Sequence, residues 1–376
     1  MMLHRAQLLQ ELEAVSDTLF YDLSPELLHA RSAWNKLIID PDLLQKIMAC
    51  QAPWPLPLWE GAIDAAIPVA PINKPYQLLS IDGSQVYPDK HQGTSCFLIN
   101  IGTVQLQYGT GKKGIKLDSV PRVFTEFSKE FKDQTTSSAD LVNCKREELE
   151  LKAGLDCAIE MRKESDAPLL FLFDGSLIFW HLASKEQNLK DHFLKKYFEL
   201  LKQFEKENIL IAGYISLPKS KEIINIVRTV LCDYNTASKA HEKIEHLVDS
   251  SIARFFLSVG HRSTVFKSRS PVTELYPETV APYFFYFDVG SEIIRVELPQ
   301  YVAHDQKALA TICGIILDQV QKGTGFPVAL AEAHEQAVVK GPDREFFYHL
   351  IEKIGISQKR NILLSQKNRK KRGIAV

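Results

Sequence analysis

Gln77-Leu78-Leu79-Ser80-Ile81-Asp82-Gly83-Ser84 and Leu169-Leu170-Phe171-Leu172-Phe173-Asp174-Gly175-Ser176 are the two stretches on which the fold turns. Each is a short apolar run of buried-strand type, closed by the same Asp-Gly-Ser tripeptide. A polar helix is expected between them, from about Ala139 to Lys163. After the second run, a helix from about Asn188 to Glu207 precedes the strand Ile209-Leu210-Ile211-Ala212-Gly213-Tyr214. Strand, helix, strand, helix is the order of an α/β layer, so the expected class is α/β, a mixed sheet flanked by helices.

Working outward, Cys96 to Leu106 supplies one or two further strands, and Gly109-Thr110-Gly111-Lys112-Lys113-Gly114 reads as a hairpin tip. Tyr283 to Phe287 and Ile293 to Leu298 read as an antiparallel pair turned at Val289-Gly290-Ser291. Helices follow at about Asp305 to Lys322, Ala329 to Val339 and Asp343 to Ile354. Toward the amino terminus, residues 1 to about 50 form an expected helical extension, in which Leu8, Leu12, Val15 and Leu19 share a face that would bury on the main domain or on a partner. Six prolines between Ala52 and Pro75 suit an extended connector. The expected organisation is therefore a helical segment and connector over 1–75, a main domain over 76–355 and a basic tail over 356–376, with no internal repeat.

Composition narrows the function. The 376 residues hold 45 basic and 46 acidic side chains, with 45% hydrophobic and 24% charged residues, which excludes disordered and collagenous classes. A net charge of -1 argues against coating nucleic acid through overall charge, though a local basic strip can still hold a phosphate backbone. The six cysteines are scattered, with no C-x-x-C pair and no zinc-ligand spacing. With no signal-peptide pattern at Met1 to Gln7 and no apolar run near the ~20 residues of a membrane span, a cytoplasmic location is expected.

An acid at the carboxyl end of a strand lies where open α/β sheets place their ligands, and the following glycine permits a sharp turn. Two such acids, Asp82 and Asp174, suggest one shared site. Neighbouring carboxylates repel, and a divalent cation held by hard oxygen ligands, magnesium or manganese, is the usual remedy. The competing reading is ordinary turn chemistry, in which the aspartate binds its own backbone. Glu147 and Glu150 share a helix face with Gly154 and Ala158, so either can bring a third carboxylate onto the sheet; otherwise both are part of a solvated face paired with Lys145, Arg146 and Lys152. His334, one turn after Leu330, has the chemistry of a metal ligand or proton carrier, although lone helical histidines are more often structural. Two apparent motifs fail. Gly109 to Gly114 lacks the Gly-Lys-Ser/Thr ending of a phosphate loop, and His241 and His246, five apart, miss the shared face of a zinc-protease helix.

Taken in order, Ser80-Ile81-Asp82-Gly83-Ser84-Gln85, the acidic helix from Arg146 to Glu150, Leu172-Phe173-Asp174-Gly175-Ser176-Leu177, Gly213-Tyr214-Ile215-Ser216, Arg295-Val296-Glu297-Leu298-Pro299, Gly325-Phe326-Pro327 and Ala331-Glu332-Ala333-His334 resemble the NurA family of DNA-repair nucleases. The resemblance spans about residues 76 to 345. It implies an RNase H-like core and manganese-dependent cleavage of single- or double-stranded DNA, with magnesium as a second metal. It further implies 5′-to-3′ exonuclease and endonuclease action in double-strand-break end resection, a homodimer, and a HerA-type hexameric ATPase as partner. Carried over by position, Asp82, Asp174, Glu150 (with Glu147 in reserve) and His334 would be catalytic metal ligands. Lys112, Lys113, Arg295 and Phe326 would contact DNA. Phe326 departs from the family, where tyrosine is typical. Two rival readings are an actin-like or sugar-kinase phosphotransferase, with Asp288-Val289-Gly290-Ser291 as a second Asp-Gly turn, and a non-catalytic subunit that clamps DNA or an ATPase.

Overall fold

The computed structural model describes residues 3–89, 95–110, 114–125, 138–235 and 237–358. Its strands are β1 (Leu58–Trp59), β2 (Ile67–Pro68), β3 (Tyr76–Val86), β4 (Cys96–Tyr108), β5 (Gly114–Thr125), β6 (Leu169–Asp174), β7 (Leu210–Ile215), β8 (His261–Arg262), β9 (Phe266–Lys267), β10 (Pro282–Asp288) and β11 (Ile293–Pro299). They form one mixed sheet in the order β1-β9-β10-β11-β7-β6-β3-β4-β5, with β2 on β8 and β8 on β10. β3, β4 and β5 are an antiparallel meander, β6 lies parallel to β3, and β7 parallel to β6. This is an RNase H-like mixed sheet, extended on its far side by the antiparallel β11 and β10.

The helices are α1 (Arg5–Ala14), α2 (Ser16–Leu19), α3 (Ser24–Leu37), α4 (Leu43–Ala49), α5 (Ser138–Glu164), α6 (Gln187–Lys206), α7 (Glu222–Leu231), α8 (Asp249–Ala253), α9 (Gln300–Ala303), α10 (Gln306–Lys322), α11 (Val328–Ala337) and α12 (Gly341–Ser357). Alternate residues of β3 and β6 divide between two apolar layers. Leu79, Ile81, Phe171 and Phe173 pack with α5 and α6, whereas Leu78, Leu170 and Leu172 pack with α10 and α11. Burial on both faces is why these strands read as continuous apolar runs. Gly154 lets α5 lie on the sheet, since a Cβ there would stand 2.5 Å from the ring of Phe171.

The amino-terminal helices share a third apolar cluster with the main body, in which Trp34 and Trp59 join Ile223, Phe266 and Phe284. The Pro-rich connector contributes β1 and β2 to the sheet rather than separating two cores. α1 is different, because none of its residues is buried and Leu8, Leu12, Val15 and Leu19 all stand exposed.

Two sequence expectations change. β3 does not end at its Asp-Gly-Ser: it continues to Val86, because β4 pairs with it as far as Leu98. Only the parallel partner stops, at Ile81 opposite Phe173. β5, the return strand that the hairpin tip implies, was not itself read from the sequence. It is the sheet edge, mostly exposed, so its apolar pattern is diluted, and Pro121 within it is tolerated there.

The approach of α11 to β4 depends on Gly102. A Cβ there would fall 2.4 Å from the Ala337 nitrogen and 2.7 Å from the Ala333 oxygen, both backbone atoms that cannot rotate away. Gly102→Ala is expected to lower the free energy of unfolding by about 1–3 kcal/mol. The urea midpoint reads this, and an unchanged midpoint contradicts the packing.

Candidate active site

β3 and β6 part where the two aspartates sit. Asp82 follows the last β3–β6 pair, and Asp174 closes β6 opposite Tyr214 of β7. In phase with Leu78, Leu170 and Leu172, both aspartates face the α10/α11 side. There the Nδ1 of His334, on α11, stands 2.9 Å from the Asp82 Oδ2, while the Asp82 Oδ1 accepts the Gly83 N–H at 2.8 Å. His334 is otherwise open to solvent, with 63% of its side chain exposed.

Glu150 comes from the other face. Its Oε1 would lie 2.4 Å from a Cβ at position 83, so the glycine of Asp-Gly-Ser is the gap through which this carboxylate meets the strand. Arg146, one helical turn earlier, donates to the Gly83 carbonyl at 2.9 Å and stands 3.5 Å from the Glu150 Oε1. Burial holds the Glu150 carboxyl well above the usual range; Arg146 opposes this, and the charges of Asp82, Glu147 and Asp174 add to it. Asp174 is raised too, first by desolvation in the crevice and then by Asp82, with His334 opposing.

Glu147 turns elsewhere. Its Oε2 lies 3.3 Å from the His181 Nε2 and accepts from the Tyr197 hydroxyl at 3.3 Å. Of the two candidate helical acids, Glu150 is therefore the one at the strand.

The loop after Asp174 is clamped by a glutamate in the middle of the sheet. One oxygen of Glu297 accepts from the Ser176 hydroxyl (2.7 Å), Leu177 N–H (2.8 Å) and Ile178 N–H (3.2 Å). Gly175 takes φ +140°, a conformation that favours glycine, and its N–H reaches the Tyr214 carbonyl. The other Glu297 oxygen accepts from Arg295 at 2.7 Å, and Arg295 also pairs with Glu222 at 2.7 Å while lying over the Phe284 ring. Arg295 is fully buried in this network. The expectation that it holds DNA is corrected: its guanidinium is committed to two glutamates and has no path to a phosphate.

Phe326 is half-buried against the α10/α11 layer, its ring edge-on to Tyr214 at 5.5 Å. The Tyr214 hydroxyl beside it is buried without a hydrogen-bond partner among the described residues. Lys112 and Lys113 lie outside the described residues. Three participants escaped the sequence reading. Arg146 was visible only as an i,i+4 partner of Glu150. Glu297 was legible as a charged residue in an apolar strand, but its burial was not. Tyr214 stood in a strand run and in one of the segments that carry the resemblance, but with no sign of a role for its hydroxyl.

Among the described residues, no group of three or more His, Cys, Asp or Glu side chains is arranged to hold a metal ion. Asp82 is engaged by His334 and Glu150 is approached by Arg146. The donor chemistry nonetheless fits a hard divalent cation. Burial and the charge of Asp82 raise the proton affinity of Glu150 and Asp174, and the buried Glu150 Oε1 has no hydrogen-bond partner among the described residues.

Compared with known proteins, residues 76–339, well over half of the chain, match the model of the NurA domain. No curated protein matches the chain.

Glu147 generates a pH prediction. Burial pushes its carboxyl from 4.5 up to about 7 in the folded chain, so the stability it contributes is complete below about pH 4.5 and lost as pH rises through 7. Between pH 5 and 8, the wild type should lose on the order of 2 kcal/mol relative to Glu147→Gln. Urea unfolding of both proteins at the two pH values checks this; parallel pH profiles contradict it.

Proposed function

Because the chain belongs to the NurA domain family, a family of nucleases, we propose that it is a divalent-metal-dependent deoxyribonuclease acting on DNA ends. One observation carries the reading: Asp82 and Asp174 lie side by side where β3 and β6 part, with His334 on Asp82 and the Glu150 carboxylate against the adjoining Gly83. Manganese or magnesium is the proposed ion, held by Asp82, Glu150 and Asp174. When bound, such an ion supplies Lewis acidity that makes water a nucleophile near neutral pH and offsets charge on a scissile phosphate.

The remaining work falls to the chain. Glu297 fixes the backbone of residues 176–178, and with it the direction of Asp174. Arg146 holds Glu150 against Gly83. The imidazole of His334, exposed and anchored through one nitrogen to Asp82, would ligate the ion or deliver a proton to a departing oxygen. Phe326, with no hydroxyl to offer, supplies a ring for packing or for stacking on a base.

Action as a homodimer, beside a HerA-type ATPase in end resection and with 5′-to-3′ polarity, is proposed on family grounds alone. The phosphotransferase alternative is the weaker one. Its second Asp-Gly turn at Asp288 is a hairpin between β10 and β11, in which the Asp288 side chain accepts the Gly290 N–H at 2.9 Å. No helix of the described residues is long and apolar enough to cross a membrane.

Asp82→Ala and Asp174→Ala are each expected to reduce manganese-dependent cleavage of end-labelled DNA by roughly three orders of magnitude or more, with far-UV circular dichroism unchanged. Cleavage at wild-type rate in either variant would remove that aspartate from the site.

A further inference from the structure

A cleft of ≈ 620 Å³ opens on the opposite flank of the sheet, between the amino-terminal segment and the β9/β10 edge. β11, β7 and β6 separate β10 from β3, which puts the cleft about 19 Å across the strands from Asp82. Its apolar walls include Trp59 and Leu309, and three basic side chains, Arg262, Lys267 and His304, face it beside the ring of Tyr283.

Arg262 is the informative residue. It is only 9% exposed, and its Nη1 donates to the neighbouring Ser263 carbonyl at 2.9 Å. Among the described residues no carboxylate pairs with it. Burial pushes its pKa down, and the thiol of Cys313 is the one group acting against that. Arg295 shows how the same fold handles a buried guanidinium when nothing external is involved: two glutamates, each at 2.7 Å. An unpaired buried cation is costly, and a group that brings its own negative charge relieves the cost. Lys267 adds a second positive charge, its Nζ 5.9 Å from the Tyr283 ring centre, and His304 meets the same ring edge-on at 5.1 Å. Among the described residues, the exposed Glu60 is the only acid lining the cleft.

We propose that this cleft is a binding site for a nucleoside monophosphate, with the phosphate on Arg262 and Lys267 and the flat base against Tyr283 and Trp59. A volume of ≈ 620 Å³ is in the range of small-molecule sites. Cations with flat rings beside them are the pairing that a phosphate joined to a base requires. The assignment does not rest on the nuclease reading, because none of its residues belongs to the acidic site.

The test is calorimetric titration of the full chain in EDTA buffer with dAMP, deoxyadenosine, inorganic phosphate, and 5′-phosphorylated or 5′-hydroxyl oligonucleotides. Wild type and Asp82→Asn are expected to bind dAMP alike. Arg262→Gln and the more exposed Lys267→Gln should each weaken dAMP at least tenfold, and deoxyadenosine should not bind. Without ligand, Arg262→Gln should melt no lower than wild type, since it removes an unpaired buried charge; should it fail to fold, Lys267→Gln carries the test. Several results would overturn the assignment: no dAMP binding by wild type, equal binding by Lys267→Gln, loss of binding in Asp82→Asn, inorganic phosphate as tight as dAMP, or capture of the 5′-phosphorylated oligonucleotide but not of dAMP.

Discussion

Three carboxylates repelling one another in a partly desolvated crevice set the terms for everything around them. Burial first, and then the charge of Asp82, raises the proton affinity of Glu150 and Asp174, and each of the three carboxylates has a neighbour that fixes or offsets it. Arg146 meets Glu150, His334 meets Asp82, and Glu297 rigidifies the turn that carries Asp174. The three partners come from a helix before the second strand run, a helix near the carboxyl end, and a strand between them. Long-range folding therefore builds the site, and no local motif contains it.

Glycine makes the assembly dense enough to work. At Gly83 the missing Cβ admits the Glu150 carboxylate, at Gly102 it admits the backbone of α11, and at Gly213 it admits the Gly175 carbonyl 2.6 Å from where a Cβ would stand. α11 carries His334 and Gly175 follows Asp174, so these close approaches govern where those two side chains point. Buried charge has a second use in the same fold. The Glu222–Arg295–Glu297 chain runs from the start of α7 to the loop after β6, tying the antiparallel side of the sheet to the acidic crevice.

Much of this was legible in the sequence where burial is two-sided. The runs at 78–81 and 169–173 announced themselves because every residue in them is apolar or small, and the ion-paired α5 showed its face through Gly154 and Ala158. β5 was illegible for the opposite reason: with solvent on both faces, no alternation is imposed on it. Asp82 and Asp174 could be paired from their repeated context, and the structure puts both at the β3–β6 junction. Spacing alone could not separate Glu147 from Glu150, since both share a helix face; Gly83, more than sixty residues away, separates them. Arg295 misled because an arginine in a strand carries no mark of its burial, and its partners Glu222 and Glu297 are joined to it by topology, and in the case of Glu222 across a long stretch of chain.

The central claim is that the carboxylates at the parting of β3 and β6 form one cation site. Electron paramagnetic resonance of manganese titrated into the full chain, wild type beside Asp174→Asn, tests it without relying on any DNA substrate. Wild type is expected to remove the free-ion signal stoichiometrically, and the variant to take up the ion at least tenfold more weakly. Equal uptake by the two proteins, or none by wild type, would contradict it.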